Sequence, residues 1–311
     1  MSEIEKINKC YFTGTLVDVK DGKELEYTDK KTGAQVKAFA GTFVLKCLLG
    51  DKENPKETLV ELHNFTKEIT QAGKVNKAYA ALVGYESYIG KRVVLGGASI
   101  AEKRFYSTKS GQLISINQFS FSFIGNAKAD SQDSATFDFS GFVKRELHEV
   151  TDAQGELVKY AITLAQANYK EDDLVVVDFT VPKDNAESIN YMTKNYTTAS
   201  TVHITGEFQT TVEVVENKDE DVVFGTAATK VYNRVHKDLV IKSGDKVITG
   251  ETQYPKALIA TLAKNYNANG EAIVEEAKTR TTEPVKGNAG ASHLRDNESN
   301  FSDEDSLAGL L

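Results

Sequence analysis

The stretches KCYFTGTLVDV (residues 9–19) and TFDFSGFV (136–143) are two versions of one pattern. Each alternates apolar with polar residues at period two, the signature of a half-buried strand. Each also sets a glycine, Gly14 or Gly141, two residues after a phenylalanine. A glycine inside such a run marks a bulge or a close backbone approach. The chain is therefore read as one unit written twice.

The following segments keep the same order in both copies. A polar hairpin comes next, 21–35 and then 148–156, with Gly33 and Gly155 as turn residues. Second strands are expected at 36–48 and 157–166, and third strands at 58–65 and 174–181. In the first copy Ile69, Ala72, Val75, Tyr79 and Leu82 then recur at helical spacing, and 185–196 fills the same slot in the second. Fourth strands follow at 91–100 and 200–208, and fifth strands at 113–124 and 236–242.

Three strands, a helix-length connection and two more strands is the order of the OB-fold, a five-stranded Greek-key barrel. The expected fold is mainly β, with two tandem OB-fold domains, a short C-terminal helix and a disordered acidic tail. Short alternating strands also suit small β-sandwiches, and only the helix-length interval separates the two readings. The expected domains are a basic first barrel (1–130), an acidic accessory or protein-contact barrel (131–250), a helical extension (251–280) and a tail (281–311). In the extension, Leu258, Ile259, Leu262 and Tyr266 form one helical stripe with Pro255 in the first turn, and this helix is expected to dock on the second barrel.

A length of 311 residues suits two domains plus an extension, and 40% hydrophobic with 26% charged residues is a globular composition. No membrane span or signal peptide is readable, so a cytoplasmic location is expected, in a host cell if the gene is carried by a phage. Cys10 and Cys47 lie in strand-like apolar runs and are expected to be buried reduced thiols of the first core. The formal net charge of −8 argues against a nucleic-acid partner until its distribution is read. Lys and Arg outnumber Asp and Glu 18 to 14 in residues 1–127, but stand 17 against 25 in 128–281 and 2 against 6 in 282–311.

A single-strand binder needs a cationic groove for phosphates and aromatic faces for bases. The fourth hairpin of the first copy carries both: Lys103, Arg104 and Lys109 stand beside Phe105 and Tyr106, one ring expected in the core and one exposed. The first hairpin adds Tyr27, Lys30, Lys31 and Lys37, and in an OB-fold these two hairpins flank one ligand face. On the third strand Val60 and Leu62 share the inner face, which leaves Glu61, His63 and Phe65 outward. Phe39 shares its parity with core positions Phe43 and Leu45 and is expected inside. The matching hairpins of the second copy are acidic, although Tyr232, Arg234, His236 and Lys237 form a small basic-aromatic group.

The last residues, DNESNFSDEDSLAGLL (296–311), join acids to an apolar tip. Asp303, Glu304 and Asp305 with Phe301, Leu307, Leu310 and Leu311 suit docking in a basic-rimmed pocket of a partner better than plain solubility. With the repeated strand, the basic-aromatic hairpin and this tail, the layout resembles the single-stranded-DNA-binding proteins of bacteria and phages. That resemblance implies sequence-independent binding and protection of single-stranded DNA in phage replication, recombination or repair. It also implies recruitment of a polymerase, helicase or recombinase through the tail, and a tail that competes with DNA for the groove. The bacterial tip ends in Pro-Phe where this chain ends in Leu310-Leu311, and two barrels in one chain depart from the single-barrel bacterial subunit.

No catalytic residue, metal or cofactor is expected, because no phosphate-cradling loop, nucleophile elbow or His-Glu-x-x-His helix is present and the five histidines are scattered. The alternative reading is a structural or virion β-protein that uses the same hairpins as protein interfaces.

Overall fold

A computed structural model describes residues 6–29, 33–50, 53–70, 72–152, 154–218 and 229–282 of the chain, with the backbone alone at 211–218, 229–236 and 280–282. The strands are β1 (Asn8–Thr28), β2 (Gln35–Leu49), β3 (Lys56–Lys67), β4 (Arg92–Ser107), β5 (Gln112–Ser120), β6 (Phe123–Asn126), β7 (Ser134–Thr151), β8 (Leu157–Ala167), β9 (Leu174–Val181), β10 (Thr201–Lys218) and β11 (Thr229–Gly244). The helices are α1 (Lys77–Val83), α2 (Ala186–Asn195) and α3 (Lys256–Thr282).

Strand pairing closes two five-membered circuits. In the first half β1, β2, β3, β5 and β4 pair in that order and β4 returns to β1; in the second β7, β8, β9, β11 and β10 do the same. The parallel contacts that complete each ring are short, Leu62 with Phe119 and His63 with Ser120 in one, Val240 with Thr180 in the other. α1 and α2 occupy the interval between third and fourth strands.

The halves meet through their opening strands. β1 and β7 pair antiparallel from Asn8 with Phe139 to Thr13 with Ser134, and Cys10 faces Phe137. Since Phe12-Thr13-Gly14 corresponds to Phe139-Ser140-Gly141, Phe137 is the counterpart of Cys10. A local two-fold axis therefore passes between Cys10 and Phe137. The glycines repeat one constraint: a Cβ at Gly14 would lie 2.4 Å from the Lys46 carbonyl oxygen, and one at Gly141 2.5 Å from that of Ala165. One hydrophobic core runs through both halves, from Phe12, Phe43 and Leu62 to Phe139, Ile162 and Phe179.

The contacts across this axis are reciprocal. The β4–β5 hairpin lies against β9, where Asn117 Nδ2 donates to the Val176 carbonyl at 2.7 Å. The β10–β11 hairpin lies against β3, where Thr210 Oγ1 donates to the Leu59 carbonyl at 2.8 Å. Leu59 and Val176 are counterparts, being the partners of Lys46 and Ala165. Phe119 and Phe208 meet edge-on between the two hairpins, with centroids 5.1 Å apart.

Several expectations need correction. β1 continues through the polar stretch to Thr28, because Lys23–Thr28 pair with Gln35–Ala40 beyond a register shift. The helical pattern from Ile69 is realised only over α1: Ile69 bridges Val75 around Gly73, whose φ of +73° stops a helix there, and Asn76 then caps α1. The fifth strand breaks at Phe121–Ser122, where the Ser122 amide bonds to the Gly96 carbonyl and β6 pairs with β4. α3 lies where the helical extension was expected, but it docks on both halves and not on the second alone. Leu262 is wholly buried with Phe142, Ala165, Ala167 and Leu174 of the second half, while Gly270 packs against Leu113 of β5. Phe39 is in the core as expected. Both cysteines are buried and free, and burial pushes the Cys47 thiol up to about 12.

Candidate nucleic-acid interface

β3 alternates strictly. Val60, Leu62, Asn64 and Thr66 are buried, and Glu61, His63, Phe65 and Lys67 point outward. The outward row begins with a charge cluster in which Glu61 accepts from Lys20 at 2.8 Å and from Lys237 of β11 at 2.9 Å. Burial alone would raise the Glu61 carboxyl, but Lys237 and Lys20 outweigh it and hold the group below its ordinary value. His63 shares a hydrogen bond with Thr42 at 2.9 Å. Burial, assisted by the charges of Lys103 and Lys237, lowers the His63 pKa against the pull of Glu61, so the ring is neutral at pH 7.

Phe65 follows with 56% of its surface exposed. The extended part of β1 brings Tyr27 beside it, ring centroids 6.3 Å apart, and the Lys67 ammonium stands 5.9 Å from the Tyr27 ring. An exposed ring, a half-buried one and an ammonium thus share one surface. Lys67 also pairs with Asp29 at 3.3 Å, and Lys37 with Glu26 at 3.2 Å on the neighbouring hairpin.

The β4–β5 hairpin divides its expected site. Lys103 is exposed with its ammonium 5.9 Å from the Phe105 ring, and Lys109 is exposed at the tip. Phe105 and Tyr106 are both half-buried, instead of one inside and one outside. Arg104 turns inward. It is ion-paired with Asp173, donates to the Tyr266 carbonyl at 2.8 Å and lies 4.0 Å from the Tyr266 ring centroid, with its side chain only 10% exposed. Lys144 approaches the same ring at 4.2 Å, and the Tyr266 hydroxyl donates to Glu102. The long helix α3 causes this, because it delivers Tyr266 onto the hairpin.

Residues 6–279 match the family described as YorF. The chain belongs to the YorF family. No curated protein matches it in sequence. The structure of this YorF family member is similar to crystal structures of the single-stranded DNA binding protein from Thermus aquaticus. The wild-type protein is 10% identical with a TM-score of 0.47, covering 81% of this chain and 98% of that chain. A deletion mutant of it is 11% identical at the same TM-score of 0.47, covering 82% and 99%. A replication protein A heterotrimer bound to ssDNA is similar at a TM-score of 0.22 and 10% identity, covering 85% of this chain and 53% of that chain.

Of the residues singled out from sequence, the YorF fold brings together Tyr27, His63 and Phe65, leaves Lys37 of β2 and Lys103 of β4 exposed on strands that do not pair with each other, and sends Lys109 to a hairpin tip. Lys30, Lys31 and the tail residues Phe301, Asp303, Glu304, Asp305, Leu307, Leu310 and Leu311 lie outside the described residues. Sequence reasoning missed Lys20, Lys67 and the contact of Lys237 with the first half. Lys67 was within reach, since it is the next outward position after Phe65. Lys20 carried no local signal, because the pairing of β1, β2 and β3 brings it to Glu61, and the group around Lys237 gave no sign that the packing of the halves brings that residue to the same carboxylate.

Proposed function

We propose that this chain is a non-catalytic, sequence-independent single-stranded DNA binder built on two tandem OB-folds. The two strand circuits, each with a helix between third and fourth strands, support the OB reading. The domain limits proposed are those at 130, 250 and 280, with α3 as the extension. The observation that carries the function is the outward row of β3, where exposed Phe65 and half-buried Lys67, with half-buried Tyr27 of β1 beside them, present stacking faces and a cation together. Bases stack on Phe65 and Tyr27, and Lys37, Lys67, Lys103 and Lys109, with Lys30 and Lys31, neutralise phosphates. Arg104 is left out of the face because Asp173 and Tyr266 engage it.

The proposal extends to the protection of exposed strands during phage DNA replication, recombination or repair, in the cytoplasm. The acidic tail is proposed to recruit a polymerase, helicase or recombinase. Fluorescence polarisation of labelled oligo-dT and a matched duplex across a salt series tests the core of this reading. Expected are strand-selective binding and an affinity that falls steeply as salt rises, by counterion release. Equal affinity for the duplex, or binding indifferent to salt, overturns it.

A further inference from the structure

Phe65 also lines a cleft of about 370 Å³ between β3, the start of α1 and the β5–β6 junction. Lys67, Asn76, Ala78, Phe121 and Phe123 share the lining. Phe123 is 50% exposed, yet it is held in place: a Cβ at Gly96 would come within 2.1 Å of its ring, so the phenyl lies flat against the β4 backbone. An aromatic face fixed in this way needs little ordering when a ligand arrives.

Asn76 is fixed by a different device. Its Oδ1 accepts from the Ala78 amide at 3.1 Å, capping α1. The cap sets the plane of the amide, and its Nδ2 group, which has no partner among the described residues, carries two N–H donors. The cleft thus combines solvated phenyl faces, an oriented amide donor and the Lys67 ammonium. A ligand that matches all three is planar, has carbonyl acceptors on its edge and carries an anion. Its volume stands at the low end of small-molecule sites and suits one nucleotide, not a stack of several.

We propose that this cleft seats one unstacked nucleobase of the bound strand, its face on Phe123 or Phe65, a carbonyl edge at Asn76 Nδ2 and its phosphate at Lys67. The proposal rests on the single-strand reading and adds a pocket to the open face. Sequence tolerance is kept, since stacking accepts any base, while the amide favours bases that present a carbonyl.

The test places 4-fluorophenylalanine at position 123 of the full chain and titrates it with thymidine 5′-monophosphate or with deoxyribose 5-phosphate. A saturable shift of the fluorine resonance is expected with the nucleotide alone. Asn76→Asp keeps a good helix cap but removes the donors, and it should weaken nucleotide binding by about fivefold or more, the worth of one hydrogen bond. A fluorine signal that is silent, or that moves equally with the sugar phosphate, overturns the pocket, as does Asn76→Asp without effect. Polarisation with oligo-dT separates the two ideas. Oligo-dT that binds while the fluorine stays silent removes the cleft and leaves the open face standing; oligo-dT that fails to bind removes both.

Discussion

The outer surfaces of the two halves began from the same plan and now do opposite things. Thr15 pairs with Lys46 in the first half, and their counterparts Phe142 and Ala165 pair in the second. Leu48, 47% exposed, corresponds to Ala167, which is buried. Where the first half keeps polar or solvated residues the second has an apolar floor, and α3 lies on it. One half therefore leaves this surface to solvent, and the other has closed it with its own helix. Whether such a face is available for a ligand depends on a few outward positions and not on the strand order.

That contrast can be broken most directly at the covered face. Phe142→Ala should cost about 3–5 kcal/mol of stability, whereas Thr15→Ala at the matching position should stay within about 0.5 kcal/mol; denaturant unfolding of both variants measures the difference. Next comes the joint between helix and hairpin. Arg104→Ala removes the ion-pair partner of half-buried Asp173, which keeps its hydrogen bond from Asn269, and should destabilise by about 2 kcal/mol, whereas Lys103→Ala should leave unfolding unchanged and reduce the salt slope of oligo-dT binding by about one.

On the open face, Phe65→Ala should weaken oligo-dT binding by about 1–3 kcal/mol with little change in unfolding. Polarisation and denaturation on the same preparation check both halves of that statement. The smallest effect is expected at His203, whose counterpart in the first half is Val94. His203 lies between Asp138 and Asp245, each at 2.6 Å. Burial would lower its pKa, but the two aspartates prevail and raise it. Its stabilisation is then complete below the unfolded value of about 6.5 and is lost as pH rises through the folded pKa. The stability difference between wild type and His203→Gln should accordingly shrink as pH is raised above that range.

The repeat was legible because Phe12 and Gly14 recur as Phe139 and Gly141, and a strand that must pass close to a neighbouring carbonyl admits little else than glycine. The inward and outward rows of β3 were legible for the same local reason, period-two alternation. α2 lies within a residue of the ends expected for 185–196, which were read from the slot that segment fills between third and fourth strands. What could not be read lies in long-range packing. Arg104 stands in a run of basic and aromatic residues that looks solvated, and only a helix arriving from residue 256 onward shows that it is engaged. Glu61 gathers Lys20 and Lys237 from both halves, a meeting that no local window contains. Phe123 looked like the end of a fifth strand, and its place over Gly96 depends on the break at Ser122.

The axis between Cys10 and Phe137 has a consequence for how such a molecule can change. In an assembly of two identical chains, any substitution is felt twice, once on each side of the symmetry axis. Here the two sides are spelled by separate stretches of one polypeptide, so a residue at one copy can be altered while its counterpart stays as it was. The unlike residues facing each other at the axis itself, a thiol opposite a phenyl ring, are a pairing that identical subunits could not make.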